Sequence, residues 1–205
     1  MTGKTYHHGD LRNALIIAAA ELIEEKGSLD FTMVDAARRA GVSSAAPYRH
    51  FEDRDSLLQA VSEVAFIALT EAAQAAAAGE PHGSTRALLA HGRAYVSFVT
   101  GHPAFYDLMW GDMGLRQFNA ENPELKTSGF YVLVDSVEAW CEQAGLTDYN
   151  PLELAVKIWA MGHGLACLAM NNNIERFIPE ADVYALLESS ANTFLDGLRP
   201  APNSD

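Results

Sequence analysis

At 205 residues, with 49% hydrophobic and 20% charged side chains, the chain is long enough for a small module plus a second domain sharing a continuous core, in the composition range of a soluble globular protein. No apolar signal segment stands at the start and the two cysteines, Cys141 and Cys167, are too few for a disulfide framework, which argues against secretion and for a reducing, cytoplasmic setting. The net charge of -13 weighs against a polyanion partner until it is mapped: residues 1–55 hold 7 Lys/Arg and 9 Asp/Glu (net -2), and residues 56–205 hold 7 and 18 (net -11), so binding a polyanion through the first quarter must rest on placed cations, helix N-termini and dimerisation rather than a diffuse positive field.

In chain order, Leu11, Leu15, Ala18, Ala19, Leu22 and Ile23 recur at helical spacing and predict a helix over 10–26, stopped by Lys26-Gly27. The preceding His7 and His8 bring no further metal ligands at useful spacing, so no metal site is expected. They read as an arm beside helix one, where Arg12 is the candidate phosphate contact. Residues 31–51 read as two short helices joined by a glycine turn. Thr32 is placed to cap the first, with Asp35 answering its amide, Phe31 and Ala36 stapling the chain, and Gly41 leaving the helix at positive φ. Ser43 or Ser44 is expected to cap the second helix, with Pro47 tolerated in its first turn. Ser44, Ala45 and Ala46 are short enough to approach base edges, and Tyr48, Arg49 and His50 suit phosphates or bases. The pattern is that of a DNA-binding helix-turn-helix.

Asp53 or Asp55 caps a long helix bearing Leu57, Leu58, Val61, Ala65, Ala68, Leu69 and Ala72 on one face and ending near Gly79. After the linker 79–84, helices are expected near 85–101, 103–112, 124–144, 151–171 and 180–198, with Pro103, Pro123, Pro151 and Pro179 near their starts. With no period-2 apolar run, the fold class is all-α: a helix-turn-helix domain at 1–58, a helical domain at 59–199 and a disordered tail at 200–205. Leu152–Met170 is apolar enough to raise a membrane span, but Glu153, Lys157 and His163 interrupt it and a buried helix is the better reading, with no membrane partner.

Phe105, Tyr106, Met109 and Trp110, with Phe130, Leu133, Val134, Val137 and Trp159, either line an apolar cavity or simply pack a core. Trp159, His163 and Cys167 share one helix face. A His-Cys dyad drawn from them has no orienting carboxylate or oxyanion donor nearby in sequence, so no catalytic residue and no cofactor is expected. Gly162, Ala166, Ser189, Ser190 and Ala191, among Leu165, Leu168, Leu187, Phe194 and Leu195, permit close packing of the last two helices across a two-fold axis.

From Tyr6 to Leu58 the motifs Tyr6-His7-His8-Gly9-Asp10-Leu11-Arg12, Phe31-Thr32 and Tyr48-Arg49-His50-Phe51, with Arg54 where lysine is usual, resemble in order and spacing the N-terminal domain of the TetR family of transcriptional regulators. The resemblance implies that Thr32, Tyr48, His50 and Arg54 contact phosphates, that Ser44, Ala45, Ala46 and Arg49 face or border the bases, and that Phe51 is core; Ser43 completes the expected DNA-binding set. With alanines at two reading positions, thymine methyls and DNA shape would supply part of the specificity. Trp159-Ala160-Met161-Gly162-His163-Gly164 resembles the Trp-His-Gly signature of one TetR ligand-domain subgroup. It implies an effector site drawn from Phe105, Tyr106, Met109, Trp110, Phe130, Val134, Trp159, His163 and Cys167. The expected protein is a homodimeric repressor, joined through its last two helices and released from a palindromic double-stranded operator by a small, largely apolar effector. The rival readings are a cytosolic helical enzyme using His163, and a ligand-independent regulator acting through a protein partner.

Overall fold

A computed structural model of the chain describes residues 8–111 and 129–199, with side chains from Leu11 onward. The elements are α1 (His8–Lys26), α2 (Met33–Arg39), a 3-10 turn (Pro47–Arg49), α3 (Arg54–Ala77), α4 (Thr85–Gly101), α5 (Pro103–Trp110), α6 (Gly129–Ala144), α7 (Pro151–Met170), α8 (Asn173–Phe177) and α9 (Val183–Leu198). The described residues contain no strand, and the fold is all-α as expected. The tail 200–205 and Pro123 lie outside the described residues.

The chain forms two compact units, Met1–Phe66 with His102–Asn119, and Ile67–Gly101 with Ala120–Asp205. In the first, Leu15, Ile16, Ala19, Leu22 and Ile23 of α1 bury one stripe against Phe31, Met33 and Ala36 and against Leu57, Leu58 and Val61 of α3. The same core takes in Ala104 and Leu108 of α5, with Phe105 packed at its edge. The 103–112 helix expected in the second domain therefore belongs to the first unit. A carboxylate bond adds to the apolar reason for this, since His102 Nδ1 lies 3.1 Å from both oxygens of Glu24 at the end of α1.

The second unit packs α4, α6, α7 and α9 around Leu88, Val137, Trp140, Leu146, Leu154, Ala155 and Leu195. Asn150 caps α7 by accepting from the amides of Leu152 and Glu153, with Pro151 at the first helical position. Asp182, not Pro179, marks the start of α9, accepting from Tyr184 N at 2.9 Å. The short α8 was not anticipated; it follows Asn172, whose φ of 54° lies in the left-handed region that asparagine tolerates. Gly83 (φ 71°) ties the linker to α6: a Cβ there would stand 2.8 Å from the Ala139 carbonyl oxygen, and Gln143 Nε2 donates to His82 O next to it. Arg54–Ala77 and Pro151–Met170 are long and apolar enough to span a membrane by length and composition. Both are elements of these units, with Leu57, Leu58 and Val61 of α3 and Leu154, Ala155, Gly162 and Ala166 of α7 buried.

Candidate nucleic-acid interface and an interior aromatic cluster

The expected capping of α2 is present in full. Thr32 N donates to Asp35 Oδ2 at 2.9 Å and Asp35 N donates to Thr32 Oγ1 at 3.1 Å. The Thr32 hydroxyl also donates to Asp35 at 2.7 Å, so the carboxyl is held below its ordinary range by the Thr32 hydroxyl and amide. That hydroxyl proton is directed at Asp35. At the other end, Gly41 (φ 70°) lets Val42 N reach Ala37 O at 2.9 Å and Gly41 N reach Arg38 O at 3.1 Å, the paired bonds of a Schellman stop.

Beyond Gly41 the structure departs from the expected second α-helix. Residues 43–50 form successive three-residue turns: Ala46 N donates to Ser43 O, Arg49 N to Ala46 O and His50 N to Pro47 O. Pro47 has no amide with which to close an α-helical bond back to Ser43, so the segment tightens instead. Ala46, not Ser43 or Ser44, occupies the cap position, and no side chain caps it. Ala46 is 9% exposed and Pro47 is buried, which withdraws Ala46 from the predicted reading face. Ser43, Ser44, Ala45, Tyr48 and Arg49 remain exposed, Tyr48 at 57%, and His50 is half-buried.

Arg54 is a second departure. Its Nε donates to Phe31 O at 2.8 Å, another guanidinium nitrogen donates to Leu29 O, and the group lies 5.3 Å from the Phe31 ring centroid. It fastens the loop between α1 and α2. Arg12 is exposed with its guanidinium 5.3 Å over the Phe51 ring. Arg39 is committed to Glu21 and Glu25, whose hydrogen bonds raise its pKa further. Its neighbour Arg38, absent from the predicted set, is 75% exposed beside Asp35. Its signal in the sequence was its place in the last turn of the capped helix.

The nine residues expected around an effector fall into the two units. Phe105, Tyr106, Met109 and Trp110 are on α5 in the first, where Met109 is 1% exposed and Tyr106 and Phe66 pack on Trp110 with centroids 5.6 and 5.5 Å apart. Phe130, Val134, Trp159, His163 and Cys167 are in the second. There Phe130 meets Trp159 edge-on at 5.8 Å, Trp159 lies 5.3 Å from His163, and the Tyr95 hydroxyl bonds His163 Nδ1 at 2.6 Å. Tyr95, missed from sequence, belongs to this cluster; it stands one helical turn beyond His91 on α4. His91 is buried against Ser136 Oγ at 3.0 Å, and Ser136 donates onward to Val132 O at 2.9 Å. Burial lowers the pKa of both His91 and His163. Val134 and Phe130 are half-buried against the second core, and Cys167 is half-buried. An apolar pocket of about 20 Å³ between α4, α7 and α9, lined by Leu88, Leu89, Gly92, Ile158, Met161 and Leu187, has room for about one water and includes none of the predicted effector residues. Gly162, Ala166, Leu187, Ala191 and Leu195, expected at a two-fold interface, are buried within the chain.

The family model described as "Bacterial regulatory proteins, tetR family" matches residues 15–61, and that described as "Tetracyclin repressor-like, C-terminal domain" matches residues 88–194. Among solved structures, a protein of unknown function from Rhodococcus sp. RHA1 is 30% identical, with a TM-score of 0.78 over 97% of this chain and 100% of that one. The TetR-family transcriptional regulator PfmR from Thermus thermophilus is 20% identical (TM-score 0.59; 91% and 99% of the chains covered). A TetR-family regulator from Marinobacter aquaeolei VT8 is 18% identical (TM-score 0.62; 91% and 94%). No curated protein is similar enough in sequence to count as a relative.

Proposed function

The chain belongs to the TetR family of bacterial transcriptional regulators, and from that premise we propose that it is a homodimeric repressor, released from a palindromic operator when a small, largely apolar molecule binds its second unit. Membership makes it a regulator rather than an enzyme; the operator, the dimer and the release are the proposed part. The observation that carries the DNA reading is the division within residues 43–51. Ala46, Pro47 and Phe51 are buried, while Ser43, Ser44, Ala45, Tyr48 and Arg49 stand exposed on a short segment of tight turns. Exposed short side chains beside a phenol and a guanidinium fit base edges and phosphates in a major groove. Arg38 and Arg12 are the flanking exposed cations.

One such segment gives too little affinity alone, so two copies read half-sites roughly 34–36 Å apart. The outward residues Leu152, Val156 and Leu168 of α7 support a partner copy on the last long helices. The chain passes between the units at Phe66–Ile67, at Gly101–His102 and at Asn119–Ala120, so α3 and the α4–α5 junction are the covalent routes among the described residues by which ligand binding shifts the population of reading states. The working compartment is the cytoplasm.

The test is selection of bound sequences from a random duplex pool at graded salt. A palindromic site is expected, bound with salt-sensitive affinity and weakened at least about tenfold by Tyr48→Ala or Arg49→Ala with unchanged melting temperature. Recovery of no enriched sequence at low salt sinks the operator reading, and a monomer in sedimentation with the selected duplex sinks the dimer.

A further inference from the structure

Residues 36–51 carry Arg38, Arg39 and Arg49 and no acidic side chain, yet most of the cations near the reading segment are already engaged. Arg39 bonds Glu21 and Glu25, and Arg38 bonds Asp35. Lys26 donates to Asp30 O, Arg54 to the carbonyls of Leu29 and Phe31, and Arg12 lies over the Phe51 ring. Among the described residues of the first unit, Arg49 is the one cation with neither a hydrogen bond, an ion pair nor a ring contact. It is exposed, so its whole guanidinium fork is available to an external partner. We propose that Arg49 reads a guanine in each operator half-site, and that a thymine methyl meets Ala45 within about three base pairs of it. This rests on the operator reading above and specifies which bases the operator carries.

The division between phosphate and base follows from how each arginine is held. Arg12 and Arg38 are steadied by a ring and a carboxylate, which fixes their charge beside the segment as a phosphate contact requires. Arg49 has no such anchor and follows the short, exposed Ser43, Ser44 and Ala45. Small side chains let the backbone come close to the groove floor, where a side chain of arginine's length reaches base edges. The guanidinium only donates, and guanine alone offers two acceptors, O6 and N7, on its major-groove edge. Adenine sets its N6 amino donor against the fork, and each pyrimidine lacks the second acceptor.

The thymine follows from what remains exposed. The Ser43 and Ser44 hydroxyls both donate and accept, so they fit any base edge and specify little. Ala46 and Pro47 are buried, which leaves Ala45 as the short apolar side chain on the surface of this segment. The group a methyl can bury against in the major groove is the 5-methyl of thymine. Ala45 and Arg49 are four residues apart, and at a rise of roughly 2 Å per residue in such turns they span about 8 Å. With base pairs stacked about 3.4 Å apart, both contacts fall inside one half-site.

The experiment is competition binding of the full chain to the duplex enriched from a random pool, with single bases replaced. Expected is a guanine in each half-site whose replacement by 7-deazaguanine, which lacks the N7 acceptor, weakens binding about tenfold. A nearby thymine is expected to lose about fourfold on replacement by deoxyuridine, which lacks the methyl. Arg49→Gln, which exchanges a donor-only fork for an amide that pairs with adenine, is expected to move the preference at that position from guanine to adenine. Ala45→Gly is expected to abolish the deoxyuridine penalty; if it lowers the melting temperature, Ala45→Ser gives the same comparison. Uniform weakening of all sequences by Arg49→Gln, with a salt slope smaller by about 1 per half-site, puts Arg49 on a phosphate and overturns the proposal. Tolerance of 7-deazaguanine at every guanine overturns it too, and tolerance of deoxyuridine at every thymine overturns the role of Ala45. An enriched site with these failures leaves the operator reading standing, whereas no enrichment at all refutes that reading and this one together.

Discussion

In the first unit the polar groups that matter lie at helix ends and loops: Thr32 with Asp35, Asp53 with the Ser56 amide, Arg54 with the carbonyls of Leu29 and Phe31. In the second they lie between helices, Ser136 with His91 and Tyr95 with His163, tens of residues apart in sequence. The first arrangement fixes the shape of a surface that must meet an external partner. The second places adjustable hydrogen bonds inside, where inserting or removing a polar group changes packing. Local closure suits a DNA reader, and interior polar pairs suit the sensor that the proposed function requires.

The strongest challenge to this contrast is core truncation. Leu57→Ala in the first unit and Leu154→Ala in the second, both at buried leucines, each cost about 3 kcal/mol. Followed by denaturant with single-tryptophan variants keeping Trp110 or Trp140, Leu57→Ala is expected to move the Trp110 transition first; coincident shifts mean the units unfold as one. Next, Arg54→Met costs about 2 kcal/mol through the two carbonyls it deserts and leaves the salt dependence of operator binding unchanged. A slope smaller by about 1 instead returns Arg54 to the phosphate contacts. Thr32→Ala, which removes a cap, costs about 1 kcal/mol in thermal melting.

The smallest effect is a difference in acid response. His91 and His163 have folded pKa values lowered by burial. The unfolded chain takes up protons near about 6.5 while the folded one resists, so their contribution is full above that pH and is lost as pH falls through it toward the folded values. Asp35 is likewise lowered, by its bonds to Thr32, so its contribution is lost only at more acid pH, below the ordinary carboxylate value. Melting between pH 7.5 and 5.5 is therefore expected to weaken the second unit first, and His91→Gln to flatten that slope. Equal weakening of both units removes the distinction.

Much of the first unit was legible because its signals span three or four residues: the Thr32–Asp35 box, the Gly41 stop and the spacing of Leu15, Ile23, Leu57 and Leu58. Tightening at Pro47 escaped because a proline allowed in the first turn of an α-helix lacks the same amide that a 3-10 turn can do without, so the residue marks both alike. Arg54 escaped because its partners are carbonyls 23 and 25 residues earlier, invisible to any local pattern. The stripe Phe105, Tyr106, Met109 and Trp110 showed that α5 would bury a face but carried no mark of which core would receive it. Tyr95 escaped similarly, because its bond to His163 crosses 68 residues.

The allegiance of α5 bears on how such proteins can be recombined. A fragment cut at Phe66 carries the whole reading segment but omits Ala104 and Leu108, leaving their places in the first core open to water. A chimera giving this reader to another sensor should therefore transplant two separate stretches, the second taken from deep within the sensor's own gene segment. The heritable module for DNA recognition here is discontinuous, and crossovers placed on either side of α5 will differ in whether they deliver a folded reader.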